Sequence, residues 1–138
     1  MNKQNKSAVI LPVILLIACL IFTIGIKTSF GGCSMTEEGK WMNCHWAEQA
    51  LFILGVLASI SSLLAVVYPD IHGKIVAVVT VIPLSAAIMF LPGNAVRLCM
   101  METMHCHAAM KPFALVMGII MIIISLISIV FMKKFIKK

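Results

Sequence analysis

Apolar residues gather into four long runs, Ser7 to Ile26, Gln49 to Pro69, Ile75 to Val96 and Pro112 to Met132, with every charge lying between or beyond them. The runs are 20, 21, 22 and 21 residues long. At 1.5 Å of rise per residue, each can cross a hydrocarbon core of roughly 30 Å as a helix, and in lipid only helices and closed barrels satisfy their own backbone polar groups. Runs of this length are too long for barrel strands. The predicted fold class is an all-α integral membrane protein, one membrane domain over residues 1–138, with transmembrane helices at about 7–26, 48–68, 75–96 and 112–132. Outer loops are expected at about 27–47 and 97–111. The short turn from Tyr68 to Lys74 makes the second and third helices antiparallel neighbours. Pro12 and Pro83 lie inside apolar runs, where neighbouring helices can re-satisfy the carbonyls a proline frees. Leu91-Pro92-Gly93-Asn94 reads as a helix-exit turn that leaves Ala95 to Leu98 as a re-entrant or interfacial stretch.

Composition sharpens the exclusion. Hydrophobic residues make up 62% of the 138 and charged residues only 12%, whereas a soluble domain is about 25% charged. A soluble enzyme, a nucleic-acid-binding domain and a small secreted disulfide scaffold are excluded despite the basic balance. Lys3, Lys6, Lys74, Lys133, Lys134, Lys137 and Lys138, opposed only by Asp70, carry the whole net charge of +6 on one side. On the other side Lys27, Lys40, Arg97 and Lys111 are cancelled by Glu37, Glu38, Glu48 and Glu102. The positive-inside rule then predicts a multi-pass protein of the plasma membrane with both termini cytoplasmic. The excess charge is a topology signal and a contact for anionic headgroups, not for nucleic acid. The terminal stretch Phe131 to Lys138 reads as an interfacial anchor of snorkelling lysines. Leu16-Ile17-Ala18-Cys19 resembles a lipoprotein cleavage box, but the run stays apolar through Ile26, so Cys19 reads as a buried small hydrophobe.

The outward loops hold the distinctive chemistry. Four of the five cysteines, Cys33, Cys44, Cys99 and Cys106, lie there with His45, His105 and His107 and with Met35, Met42, Met100, Met101, Met104 and Met110. The loops also repeat each other. Met42-Asn43-Cys44-His45-Trp46-Ala47 and Met104-His105-Cys106-His107-Ala108-Ala109 share Met-x-Cys-His-x-Ala at an offset of 62, and Cys33-Ser34-Met35 matches Cys99-Met100-Met101 at 66. The pattern predicts a parallel tandem duplication of a helix-loop-helix unit, with halves at about 1–68 and 75–138. Cys44 and His45 should then face Cys106 and His107 across a pseudo-two-fold axis. Trp41 and Trp46 fit an aromatic belt, Glu48 favours a helix N-terminus, and Gly55 and Gly118 allow helices to approach closely.

Three chemistries fit these residues. An outward compartment is oxidising and invites within-loop bridges, Cys33 to Cys44 and Cys99 to Cys106, among three connectivities. Each would contribute roughly 2 to 3 kcal/mol in the loop-entropy model. Alternatively, thiolate, thioether and imidazole together suit copper(I), with zinc or haem as competitors, and Cys44, His45, Cys106, His107, Met101, Met104 and His105 are the candidate ligands. The third reading is a quinone-linked thiol/disulfide oxidoreductase of the four-helix membrane oxidase type. Those enzymes use Cys-x-x-Cys, which this chain lacks.

The signatures Met42-Asn43-Cys44-His45-Trp46 and Leu98 to His107, set between four apolar helices, resemble the prokaryotic small membrane proteins grouped as domain-of-unknown-function family 4418. The resemblance spans essentially the whole chain, and Cys33, Cys44, His45, Trp46, Cys99, Met101, Met104, Cys106 and His107 match the family pattern. It implies a four-helix membrane fold and no defined activity, with members that look like accessories to export-type ABC transporters. The expectation is therefore a non-enzymatic accessory protein in the lipid bilayer, with ABC transporter subunits as partners. The oxidoreductase is the alternative.

Overall fold

The computed structural model describes residues 3–29, 38–39, 43–97 and 106–137. Among them four helices run in sequence, α1 (Lys3–Thr28), α2 (Asn43–Val67), α3 (Ile71–Phe90) and α4 (Lys111–Ile136), and a π-helical turn (Cys106–Met110) leads into α4. Four stretches, Val9–Thr28, Asn43–Val67, Ile71–Phe90 and Ala108–Lys134, are long and apolar enough to cross a membrane. The protein is an all-helical, multi-pass membrane protein.

The helices form a square in which α1 packs on α2, α2 on α3, α3 on α4 and α4 back on α1. Neighbours are antiparallel: Lys27 of α1 meets Glu48 of α2 at one end, while Cys19 meets Ser62 further along. Small residues share the core with large ones such as Leu15, Phe22, Leu51 and Met121. Ala18, Ala47, Ala58, Ala65, Ala77 and Ala114 are buried, whereas Ile17, Ile24, Ile53, Val76, Ile123 and Val130 face outward. Lipid is as apolar as leucine, so helices in a membrane gain by close backbone approach rather than by hiding large side chains. Gly55 and Gly118 show this directly. A Cβ on Gly55 would sit 2.7 Å from Thr23 Oγ1 and 3.1 Å from the Phe22 ring, and one on Gly118 would run into the Met89 side chain and lie 3.2 Å from the Ser85 carbonyl oxygen.

The buried positions repeat. Leu15, Cys19, Thr23 and Ile26 of α1 are followed 62 residues later by Ala77, Val81, Ser85 and Ile88 of α3, all buried. Ala47, Leu51, Gly55, Ala58, Ser62 and Ala65 of α2 recur 63 residues later at Met110, Ala114, Gly118, Met121, Ser125 and Ser128 of the π turn and α4, again all buried. The interior hydroxyls are spent on their own helices. Thr23 donates to the Cys19 carbonyl at 2.8 Å, and Ser62, Ser85 and Ser125 each donate one turn back, to the carbonyls of Ala58, Val81 and Met121, at 2.7 to 2.8 Å. These residues act as small spacers that carry no unsatisfied group into lipid.

Helix boundaries depart from expectation chiefly in α3, which was expected at 75–96 and runs from Ile71 to Phe90. Asp70 caps its start with its backbone, accepting from the Lys74 N–H at 3.1 Å. Lys74 is therefore in the helix rather than the turn, and only 8% exposed. The exit comes early because Pro92 follows Leu91 and Gly93 takes φ +90°, a left-handed conformation suited to glycine. Gly93 N–H then donates to Val96 O at 3.0 Å and Val96 N–H to Leu91 O at 3.1 Å, closing a tight loop. Both Pro12 and Pro83 lie within continuous helix.

Candidate functional site

The end of the bundle with the Cys, Met and His motifs differs from the loop-borne surface expected. Cys44, His45 and Trp46 belong to the first turn of α2, which starts five residues earlier than expected. Cys106 and His107 open the π-helical turn before α4. Both motifs thus sit at the N-terminal mouths of helices. Cys33, Cys99, Met101, Met104 and His105 lie outside the described residues, and for Cys106 and His107 only the backbone path is described.

A helix turns about 100° per residue, so three consecutive residues cannot share a face. Cys44 points inward, fully buried among the core residues, and is disulfide-bonded. His45 is half-buried and Trp46 exposed, with their rings edge to face at 6.0 Å and 73°. The motif therefore divides into an inward sulfur and an outward pair of aromatic rings. Ala47 returns to the core one step later.

Charge braces the same end. Lys27, in the last turn of α1, donates to Glu48 Oε1 at 3.0 Å and lies 5.1 Å from the centroid of the Phe52 ring. Below this contact Phe22 and Phe113 stack at 5.8 Å, tying α1 to α4. Because α2 starts at Asn43, Glu48 lies past its first turn and serves an ion pair between helices instead of the helix-dipole role its position predicted.

Met110 needs a correction. Counted from sequence among the outward thioethers, it is fully buried in the core at the end of the π turn. Cys19, the free cysteine among the described residues, is buried midway along α1, 3.4 Å from Ser62 Oγ and 3.5 Å from Met121 Sδ. No three His, Cys, Asp or Glu side chains converge as metal ligands among the described residues.

The π turn explains an arithmetic detail that sequence reading passed over. The motif repeats at 62, from Cys44 to Cys106, but the core behind it repeats at 63, from Gly55 to Gly118 and from Ser62 to Ser125. A π turn holds one residue more than an α turn at the same rise in register, and it lies between the two. The change of offset was the available signal.

Among known proteins, the family model described as Domain of unknown function (DUF4418) matches residues 15–131. That span reaches from the middle of α1 almost to the end of α4 and takes in both motifs. No curated protein and no solved structure matches the chain.

Proposed function

The chain belongs to the DUF4418 family, a domain of unknown function, and from that premise we propose that it is a small non-enzymatic accessory protein of the plasma membrane. In this reading both termini are cytoplasmic and a tandem-duplicated Cys, Met and His face lies outside. The cysteines are structural staples, Cys33 with Cys44 and Cys99 with Cys106, and the neighbouring imidazoles and Trp46 form a docking face for a partner such as ABC transporter subunits. The observation that carries the reading is the division of the motif, with a buried, disulfide-bonded Cys44 beside an outward His45 and Trp46. A sulfur held in a bridge inside the core is poorly placed for exchange with a substrate. The recurring buried positions support the duplication, since two halves that pack alike arise naturally from one repeated unit.

A soft metal is the second reading. A bridge at Cys44 removes its thiolate, so ligation would fall to imidazole and thioether from His45, His105, His107, Met101 and Met104, a set suited to copper(I).

The test is thiol counting by mass spectrometry on protein purified anaerobically from its native membrane, with metal analysis of the same sample. The expected result is one free thiol, Cys19, and two intact within-loop bridges. Four free outer thiols with stoichiometric copper, zinc or iron would overturn the stapled reading. Reduction of a quinone coupled to a dithiol would overturn the non-enzymatic one. Cys44→Ser and Cys106→Ser are expected to destabilise alike, by roughly 2 to 3 kcal/mol each.

A further inference from the structure

At the opposite end of the bundle, where α3 begins and α4 finishes, an open groove of about 680 Å³ lies between the two helices. Ile75 of α3 and Val130 of α4 line its floor, and His72, Lys133, Lys134 and Lys137 its rim. We infer that this groove binds one anionic diacyl phospholipid, its phosphate held by the lysines and one acyl chain laid along the apolar floor.

Three observations support this occupant. The lysines cluster at the end of α4 and His72 and Ile75 of α3 face them, so the lining spans two helices and forms a concave site, which lysines snorkelling along a single helix do not. The lining is mostly apolar and the volume far exceeds what a phosphate fills, which favours a lipid over a free anion. The basic end of α4 has no counterpart at the end of α2. Val130-Phe131-Met132-Lys133 of α4 corresponds, 63 residues back, to Val67 at the end of α2 and Tyr68-Pro69-Asp70 just beyond it, with an acid in the matching place. Asp70, two residues before His72, is the acid this end of the described structure offers, and it does not line the groove. Basic pockets between transmembrane helices are suited to anionic headgroups.

The experiment is native mass spectrometry of the intact protein in neutral detergent, titrated with dioleoyl phosphatidylglycerol or dioleoyl phosphatidylcholine. One phosphatidylglycerol adduct should be retained in preference to phosphatidylcholine. Lys133→Gln with Lys134→Gln should weaken it about 30-fold, while Lys3→Gln with Lys6→Gln, which removes the same charge at the same end, should change it by less than about 3-fold. The exposed lysines leave the fold intact. Val130→Trp, which fills the floor, should also displace the lipid. Equal loss in the two lysine pairs would overturn the proposal in favour of diffuse attraction to the surface. Equal retention of phosphatidylcholine, or full competition by millimolar inorganic phosphate, would overturn it as well.

Discussion

The α1–α2 pair and the α3–α4 pair pack alike inside and differ at their ends. Inside, Thr23 against Gly55 corresponds to Ser85 and Met89 against Gly118. At the motif end, the Lys27–Glu48 ion pair of the first half is matched by Met89 and Lys111 in the second, where no such pair can form. At the far end Asp70 stands where the second half has Lys133. Small residues in fixed register set how the helices meet, so they are held to one pattern. Interfacial charges contribute little to that packing and are free to give each pair its own task.

The largest effects should come from breaking the shared packing. Gly118→Ala is expected to cost about 1 to 3 kcal/mol, because a methyl group enters space already held by Met89 and the Ser85 carbonyl. Thermal unfolding in detergent measures it, and Met89→Ala in the same chain should restore much of the loss. If the pair proves additive, the close approach is not what limits this interface. Gly55→Ala should behave similarly, with Thr23→Ala as its rescue.

Next comes the one-residue difference between the halves. Deleting Ala108 should turn the π turn into α-helix and bring the motif and the core of α4 to a common offset of 62. The expected cost is about 1 kcal/mol, with α4 amide exchange unchanged beyond its first turn. Protection lost along all of α4 would instead show that the turn sets the helix register.

Smaller effects should follow at the hydroxyls. Ser62→Ala and Ser125→Ala should each change stability by less than about 1 kcal/mol, since both donate within their own helices. The smallest effect is expected from Lys27→Met, which copies the uncharged second half. With Lys27 39% exposed, solvent screening leaves the ion pair worth about 0 to 1 kcal/mol, and unfolding at low and high salt would isolate it.

Four membrane helices were legible in the sequence because charge-free runs of helix-spanning length have few other solutions in lipid. Their edges were less so. The exit of the third helix was legible in Leu91-Pro92-Gly93-Asn94, but its start was not, because the helix takes in Lys74, a residue whose charge had argued for the turn. The motif was legible as a repeat but not as helix, because Cys and His favour no particular backbone state. What set their place was long-range: Lys27 reaching Glu48, and Ala47 packing into the core one step behind. Met110 misled for the opposite reason. A thioether suits a ligand set and a core equally well, and only the register of Ala114 and Gly118 behind it decides which.

Trp46 is 62% exposed and meets the edge of the His45 ring. Indole emission falls when a neighbouring imidazole takes up a proton or a metal ion, because electron transfer out of the excited ring becomes easier. The mouth of α2 therefore carries a built-in optical gauge. Trp41→Phe removes the other tryptophan in the chain, and the remaining fluorescence follows His45 in native lipid without any label.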